Sequence, residues 1–208
     1  MAGTVSRLSY VVRSLEDSLG SRTLAVMKVR RVVTGHDANG KAIVASDSEV
    51  DGFRPMLSPG SEFHTLWGAD EAPHFPDEGK MPSFMTWFPP VGGFRFALFA
   101  VPPEPSEPPQ IDDIEAAVAE FEAGLPGLPG YVEPDAPGMH TTDTIDFEVI
   151  LDGEVWLELD DGVEVHLTPG DTVVQNGTRH AWRNHGDKVC RIAVFLIGAH
   201  HANVTRPA

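Results

Sequence analysis

Between positions 138 and 184 the chain spaces carboxylates, imidazoles and hydroxyls so that they can share a face. Side chains two apart on a strand point the same way. Asp146 and Glu148 stand two apart in the strand-like run from Thr144 to Leu151, with Ile150 deeper on the same side. Thr142 and His140 extend that series if the strand is unbroken. Two inward carboxylates beside histidines can complete a metal site. They can also form a metal-free acid/base pair, because like charges close together raise one pKa and suit a proton shuttle. In the third case the inward polar groups satisfy one another through water in a pocket that only binds. His180 and Trp182 are again two apart, so an aromatic wall can stand beside an imidazole. Gln175 is placed to point inward as a hydrogen-bond donor to a substrate.

The composition narrows the partners. The chain has 208 residues, 31 acidic against 15 basic, and a formal net charge of -16. Phosphate binding needs clustered Lys and Arg, so nucleic acid is disfavoured, and so is an anionic membrane surface. Cys190 is the one cysteine, which leaves no intrachain disulfide and reads as a buried structural thiol. No apolar stretch approaches the roughly 20 residues needed to span a bilayer, and the N-terminus lacks the apolar core of a signal peptide. The expected location is cytoplasmic.

The elements that must position these residues follow from pattern. Residues 1–23 are expected to form a helical extension, with Leu8, Val11, Val12, Leu15 and Leu19 at helical spacing. Residues 24–34 and 41–46 read as a hairpin around Asp37-Ala38-Asn39-Gly40. Residues 51–92 are irregular, with strands expected at Phe63–Trp67 and Ser83–Phe88; His64, Trp67, His74 and Trp87 can line a pocket there. The run from Phe94 to Val101 is a strand. A proline-rich linker leads to a helix opened by Asp112-Asp113, with Ile111, Ile114, Val118 and Phe121 on one face. From residue 144 short strands follow at roughly 8–12-residue spacing, separated by Gly153, Asp160-Asp161-Gly162, Pro169-Gly170-Asp171 and Asn176-Gly177. That spacing predicts an all-β barrel or sandwich. Residues 24–198 form the barrel domain, and 199–208 a frayed tail.

The run from Gly138 to Asn184 resembles the cupin family, small β-barrels of jelly-roll type. In the family's first motif His140 takes the first histidine position, Thr142 stands where the second histidine belongs, Asp146 takes the glutamate position, and Gly153 follows at the right distance. In the second motif Gly170, Gly177, His180 and Asn184 match, while Gln175 or Asn176 replaces the proline and the segment after Gly170 is one residue short.

The resemblance implies a single jelly-roll barrel with added N-terminal strands and peripheral helices. It also implies a divalent metal (Fe, Zn, Ni or Mn) on His140, Asp146 and His180, two imidazoles and one carboxylate with open positions. Glu148 then serves as general base or as the ligand missing at Thr142. Asn184 fixes a turn. The expected function is a small-molecule enzyme acting on an organic acid or aromatic. Its chemistry would be proton transfer, lyase, dehydratase or dioxygenase chemistry, with Glu148, Asp146 and His180 catalytic and Thr142, Gln175 and Trp182 touching the substrate. The alternative is a non-catalytic ligand-binding barrel without metal. Pairing through sheet edges makes a homodimer the expected assembly.

Overall fold

The computed structural model describes residues 27–107 and 109–202. The helix expected within 1–23 lies outside the described residues.

Among the described residues ten strands and one α-helix follow in order. Strands β1 (Val29–His36) and β2 (Ala42–Val50) form the expected hairpin. Its turn closes through the Asp37 carboxylate, which accepts from the amides of Asn39 and Lys41 at 2.9 Å each. Next come β3 (Glu62–Ala69) and β4 (Phe94–Val101), then helix α1 (Ile114–Gly124). The remaining strands are β5 (Thr144–Asp152), β6 (Val155–Glu158), β7 (Glu164–Leu167), β8 (Thr172–Gln175), β9 (Ala181–Arg183) and β10 (Cys190–Gly198).

The long strands make a five-stranded sheet in the order β3-β4-β10-β5-β8, and the short ones a three-stranded sheet β7-β6-β9. The two sheets face each other. Ile150 on β5 and Ile192 on β10 pack with Val155, Leu157 and Leu167 of the smaller sheet, and Cys190 is buried among them. Burial pushes the Cys190 thiol up to about 12, as suits an inert structural cysteine. A second cluster, centred on Trp87, Phe88, Leu125, Val194 and Leu196, closes the other end. The molecule is all-β with a jelly-roll type arrangement, as the strand spacing predicts.

Two local expectations need correction. The run from Ser83 to Phe88 is not a strand. Its backbone groups are spent elsewhere: the carbonyl of Thr86 accepts from the Arg95 guanidinium, and the amide of Trp87 donates to Pro126 at 2.8 Å. In α1 the Asp113 carboxylate caps the start by accepting from the amide of Ala116. Ile114 and Val118, however, are exposed; of the expected stripe Phe121 does turn inward, joined by Ala117. Four-residue spacing selects that second stripe, and Leu125 continues it past the helix end.

On the outer face of the large sheet, one rung aligns Phe96, Phe195, Phe147 and Val174. Phe195, Phe147 and Val174 are exposed. Among the described residues no helix is long and apolar enough to cross a membrane.

Candidate functional site

The cavity between the sheets measures about 230 Å³. Strand β5 sets its polar wall. Its alternation puts Thr144, Asp146, Glu148 and Ile150 inward, all buried, with Phe147 and Leu151 outward. On the neighbouring strand the partner of Asp146 is Leu196, and the partner of Glu148 is Val194. Both are buried and line the cavity. Toward β10 each carboxyl is therefore set against hydrocarbon; toward β8 Glu148 meets Val173, and Asp146 meets Gln175, whose amide is bonded to Thr178.

That placement fixes their ionisation. Burial raises the Asp146 carboxyl to about 7, with the Thr144 hydroxyl pulling the other way. Burial also pushes Glu148 well above the ordinary carboxylate range, and neighbouring Asp146 pushes it further. Oδ1 of Asp146 and Oε2 of Glu148 are buried with no hydrogen-bond partner among the described residues.

The imidazoles come from two loops that meet. His140 and His180 pair through reciprocal backbone hydrogen bonds of 2.9 Å, and their ring centroids lie 4.2 Å apart. Nδ1 of His140 faces the carbonyl of Gly138, and Nδ1 of His180 faces the carbonyl of Thr178, both at 2.9 Å. A carbonyl only accepts, so the hydrogen bonding assigns the proton of each neutral ring to Nδ1 and leaves Nε2 with a lone pair. Burial depresses His140. It brings His180 down to about 3, helped by His140 beside it. Both rings are neutral near pH 7.

Around this polar end runs an aromatic girdle. Trp87 meets Phe63 edge-on at 5.9 Å, Phe63 stacks on Phe99 at 6.2 Å, and Phe99 lies 6.3 Å from Trp182. Trp182 then meets His180 edge-on at 6.0 Å, and on the far side His140 approaches Phe88, which packs on Tyr131 at 4.7 Å. Tyr131 belongs to a segment between Gly127 and Gly138, which hold φ of 79° and 81°. The Arg179 guanidinium ties that segment down with two hydrogen bonds of 2.7 Å to the Glu133 carboxylate.

The expected residues are thus partly gathered. His140, Asp146, Glu148, His180 and Trp182 line one cavity. Thr142 and Gln175 do not. Thr142 is wholly buried and accepts from the Thr144 hydroxyl at 2.9 Å. The amide of Gln175 is spent on Thr178, through its carbonyl and its hydroxyl. Asn184 fixes a turn, donating to the carbonyls of Val101 and Lys188. Of the pocket residues expected in 51–92, Trp87 lines this cavity, whereas Trp67 and His74 line a separate one under the β1–β2 hairpin. His64 is fully buried and bonded to Glu62 and to the carbonyl of Val50.

The aromatic residues Phe63, Phe88, Phe99 and Tyr131 carry no motif. Only alternation along β3 and β4 hinted at the inward direction of Phe63 and Phe99.

The donor chemistry of His140, His180 and Asp146 suits a divalent metal, and the two orphan carboxylate oxygens are the kind a metal would satisfy. The placement does not match. Among the described residues no three His, Cys, Asp or Glu side chains are gathered as a ligand set. The imidazoles pair with each other across the loops, and the carboxyls pair along β5.

Comparison with known proteins agrees with the fold. Residues 129–197 match the family model described as "Cupin domain". A 58-residue stretch is 47% identical to the phomopsin biosynthesis cluster protein D of Diaporthe leptostromiformis, covering 28% of this chain and 31% of that protein. Over 157 residues the chain is 25% identical to the cupin-domain-containing oxidoreductase fogC of Aspergillus ruber, covering 76% of this chain and 64% of that protein. The chain thus spans less than two thirds of the length of these relatives. Among solved structures, the polyketide cyclase RemF from Streptomyces resistomycificus is 14% identical with a TM-score of 0.39, over 74% of this chain and 82% of that one.

Proposed function

We propose that the chain is a cupin-type enzyme that moves protons on a small molecule held in the cavity between its sheets. One observation carries the reading: two neighbouring carboxyls are buried, each with an oxygen that no described group satisfies, in a cavity also lined by two neutral imidazoles. A structural role would have paired those oxygens, since an unpartnered buried polar group costs about 1–3 kcal/mol. The names of the relatives, one an oxidoreductase and one a member of a biosynthesis cluster, support an enzyme over a passive binder.

The roles follow from the environments. Asp146, raised to about 7, exists in both protonation states near neutral pH, where a general acid/base works best. Glu148 keeps its proton there and donates it to a substrate oxygen. His140 and His180 offer Nε2 lone pairs that accept from a substrate hydroxyl and orient it. Removing a proton from carbon at Asp146 while Glu148 protonates the neighbouring oxygen is the step shared by isomerisation, dehydration and enol-type ring closure. The pair titrates as a unit, so activity should rise as pH passes about 7 and fall where Glu148 also ionises.

The test is deuterium exchange into the carbon next to the carbonyl of an enolisable ketone, followed by NMR. The wild type should exchange well above buffer, and Asp146→Asn and Glu148→Gln should each lose roughly 10²–10⁴-fold. Exchange unaffected by both substitutions refutes the assignment.

A second reading has its own observation: the Nδ1 bonds of both histidines turn Nε2 outward, as metal-bound imidazoles are turned. That reading needs Asp146 to close on the two imidazoles, because the three are not gathered as a ligand set among the described residues. Elemental analysis separates the two. About one equivalent of metal, with turnover lost on its removal, overturns the metal-free mechanism. Saturable binding in a protein that never exchanges the ligand's protons favours the non-catalytic alternative.

A further inference from the structure

Nothing in the cavity offers a positive charge. Among the described lining residues there is no lysine or arginine. On the sheet, Arg95 pairs with Leu196, which pairs in turn with Asp146. This buried guanidinium is already spent on the Asp70 carboxylate and on the carbonyls of Ala69, Phe94 and Thr86. A carboxylate or phosphate entering here would lose its water, meet no cation and confront Asp146 and Glu148. Burying an uncompensated charge is the most costly step such a pocket can ask for.

The walls select for a ring. The girdle from Trp87 through Phe63, Phe99 and Trp182 to His180 presents faces and edges that pack a flat apolar body. Its volume is about 230 Å³. Benzene is accepted by an apolar cavity of about 150 Å³. The space therefore suits one ring with small substituents. At the polar end, Oδ1 of Asp146 and Oε2 of Glu148 have no hydrogen-bond partner among the described residues, and the Nδ1 bonds of His140 and His180 leave each Nε2 to accept, so polar substituents on the guest would be met.

We infer that the cavity takes an uncharged single-ring compound bearing a hydroxyl and a carbonyl, and rejects organic anions of the same size. For the polar end this rests on the proton-transfer reading above; for the ring and the charge it rests on the walls. The sequence leaves an organic acid and an aromatic side by side as candidates, and the cavity separates them.

Isothermal titration with two matched probes tests it on the purified wild type. 4-Hydroxyacetophenone is neutral and 4-hydroxybenzoate is an anion at about pH 6.5. The ketone should bind at least about tenfold more tightly. Trp182→Ala should weaken the ketone at least about fivefold, placing it in this cavity, and Phe99→Leu does the same should the first variant not fold. Equal or tighter binding of the benzoate, no saturable binding of either probe, or a ketone affinity untouched by both variants overturns the inference. Selective ketone binding with no deuterium exchange removes the proton-transfer function and leaves the ligand class standing. Exchange seen only with anions does the reverse.

Discussion

Replacing Asp146 by Asn should make the folded protein more stable at neutral pH, and the gain should grow with pH in a defined window. The carboxyl is 3% exposed, and its proton affinity is raised from an ordinary 3.8 to about 7. A folded-state pKa raised above the unfolded value means that the folded chain holds a proton the unfolded chain has released. Stability is then fully present below about 4 and is lost as pH climbs to about 7. At about 1.4 kcal/mol for each tenfold in proton affinity, the loss is about 4 kcal/mol, after which it levels. The isosteric amide cannot ionise and escapes it. Part of the gain comes through Glu148, which no longer faces a neighbouring charge.

The assay is urea unfolding of wild type and variant at matched pH values from about 4 to 8, compared as a difference so that other titrating groups cancel. The variant should pull ahead by several kcal/mol between about pH 4 and 7 while its proton exchange collapses. A difference flat with pH would refute the claim that burial without a counter-charge raises this carboxyl. So would a variant that is less stable than wild type at pH 8.

Other measurements probe the rest of the structure. His180 has the opposite sign. Its folded pKa is depressed to about 3, so wild-type stability should fall relative to His180→Gln as pH drops below about 6.5, by on the order of 5 kcal/mol if folding survives to about pH 3, read from the same urea series. Asn184→Ala orphans the carbonyls of Val101 and Lys188 and the amide of Gly186, and should cost roughly 2–4 kcal/mol by thermal unfolding; a cost under about 0.5 kcal/mol would contradict its place as a turn anchor. Phe195 is exposed and stacks on Phe96 at 4.4 Å in an apolar rung continued by Phe147 and Val174. If the chain is a homodimer through this face, light scattering should show a dimer for wild type and a monomer for Phe195→Glu, and a monomeric wild type removes that assembly.

The strand order along the chain and the inward face of β5 were legible from residue types alone. Period-two alternation and turn residues are local, and Asp146, Glu148 and Ile150 fall on one face whatever they meet. Two-residue spacing likewise put His180 and Trp182 on one side of the chain, and both line the cavity. What the sequence by itself could not decide was the company each residue keeps. Gln175 has the chemistry of a substrate ligand, yet Thr178 takes up its amide. Ser83 to Phe88 has the composition of a strand, yet Arg95 and Pro126 claim its backbone. Those outcomes depend on contacts between segments far apart in the chain, which no local pattern encodes. The same holds for the site. Alternation put the carboxylates of Asp146 and Glu148 on one face, whereas His140 and His180 reach the cavity from loops outside the strands. Only the tertiary structure set the carboxyls against Leu196 and Val194 and ringed them with Phe63, Phe99, Tyr131 and Trp87. Among the described residues that leaves no cation lining the cavity, and burial without a counter-charge is what raises the proton affinity of the pair.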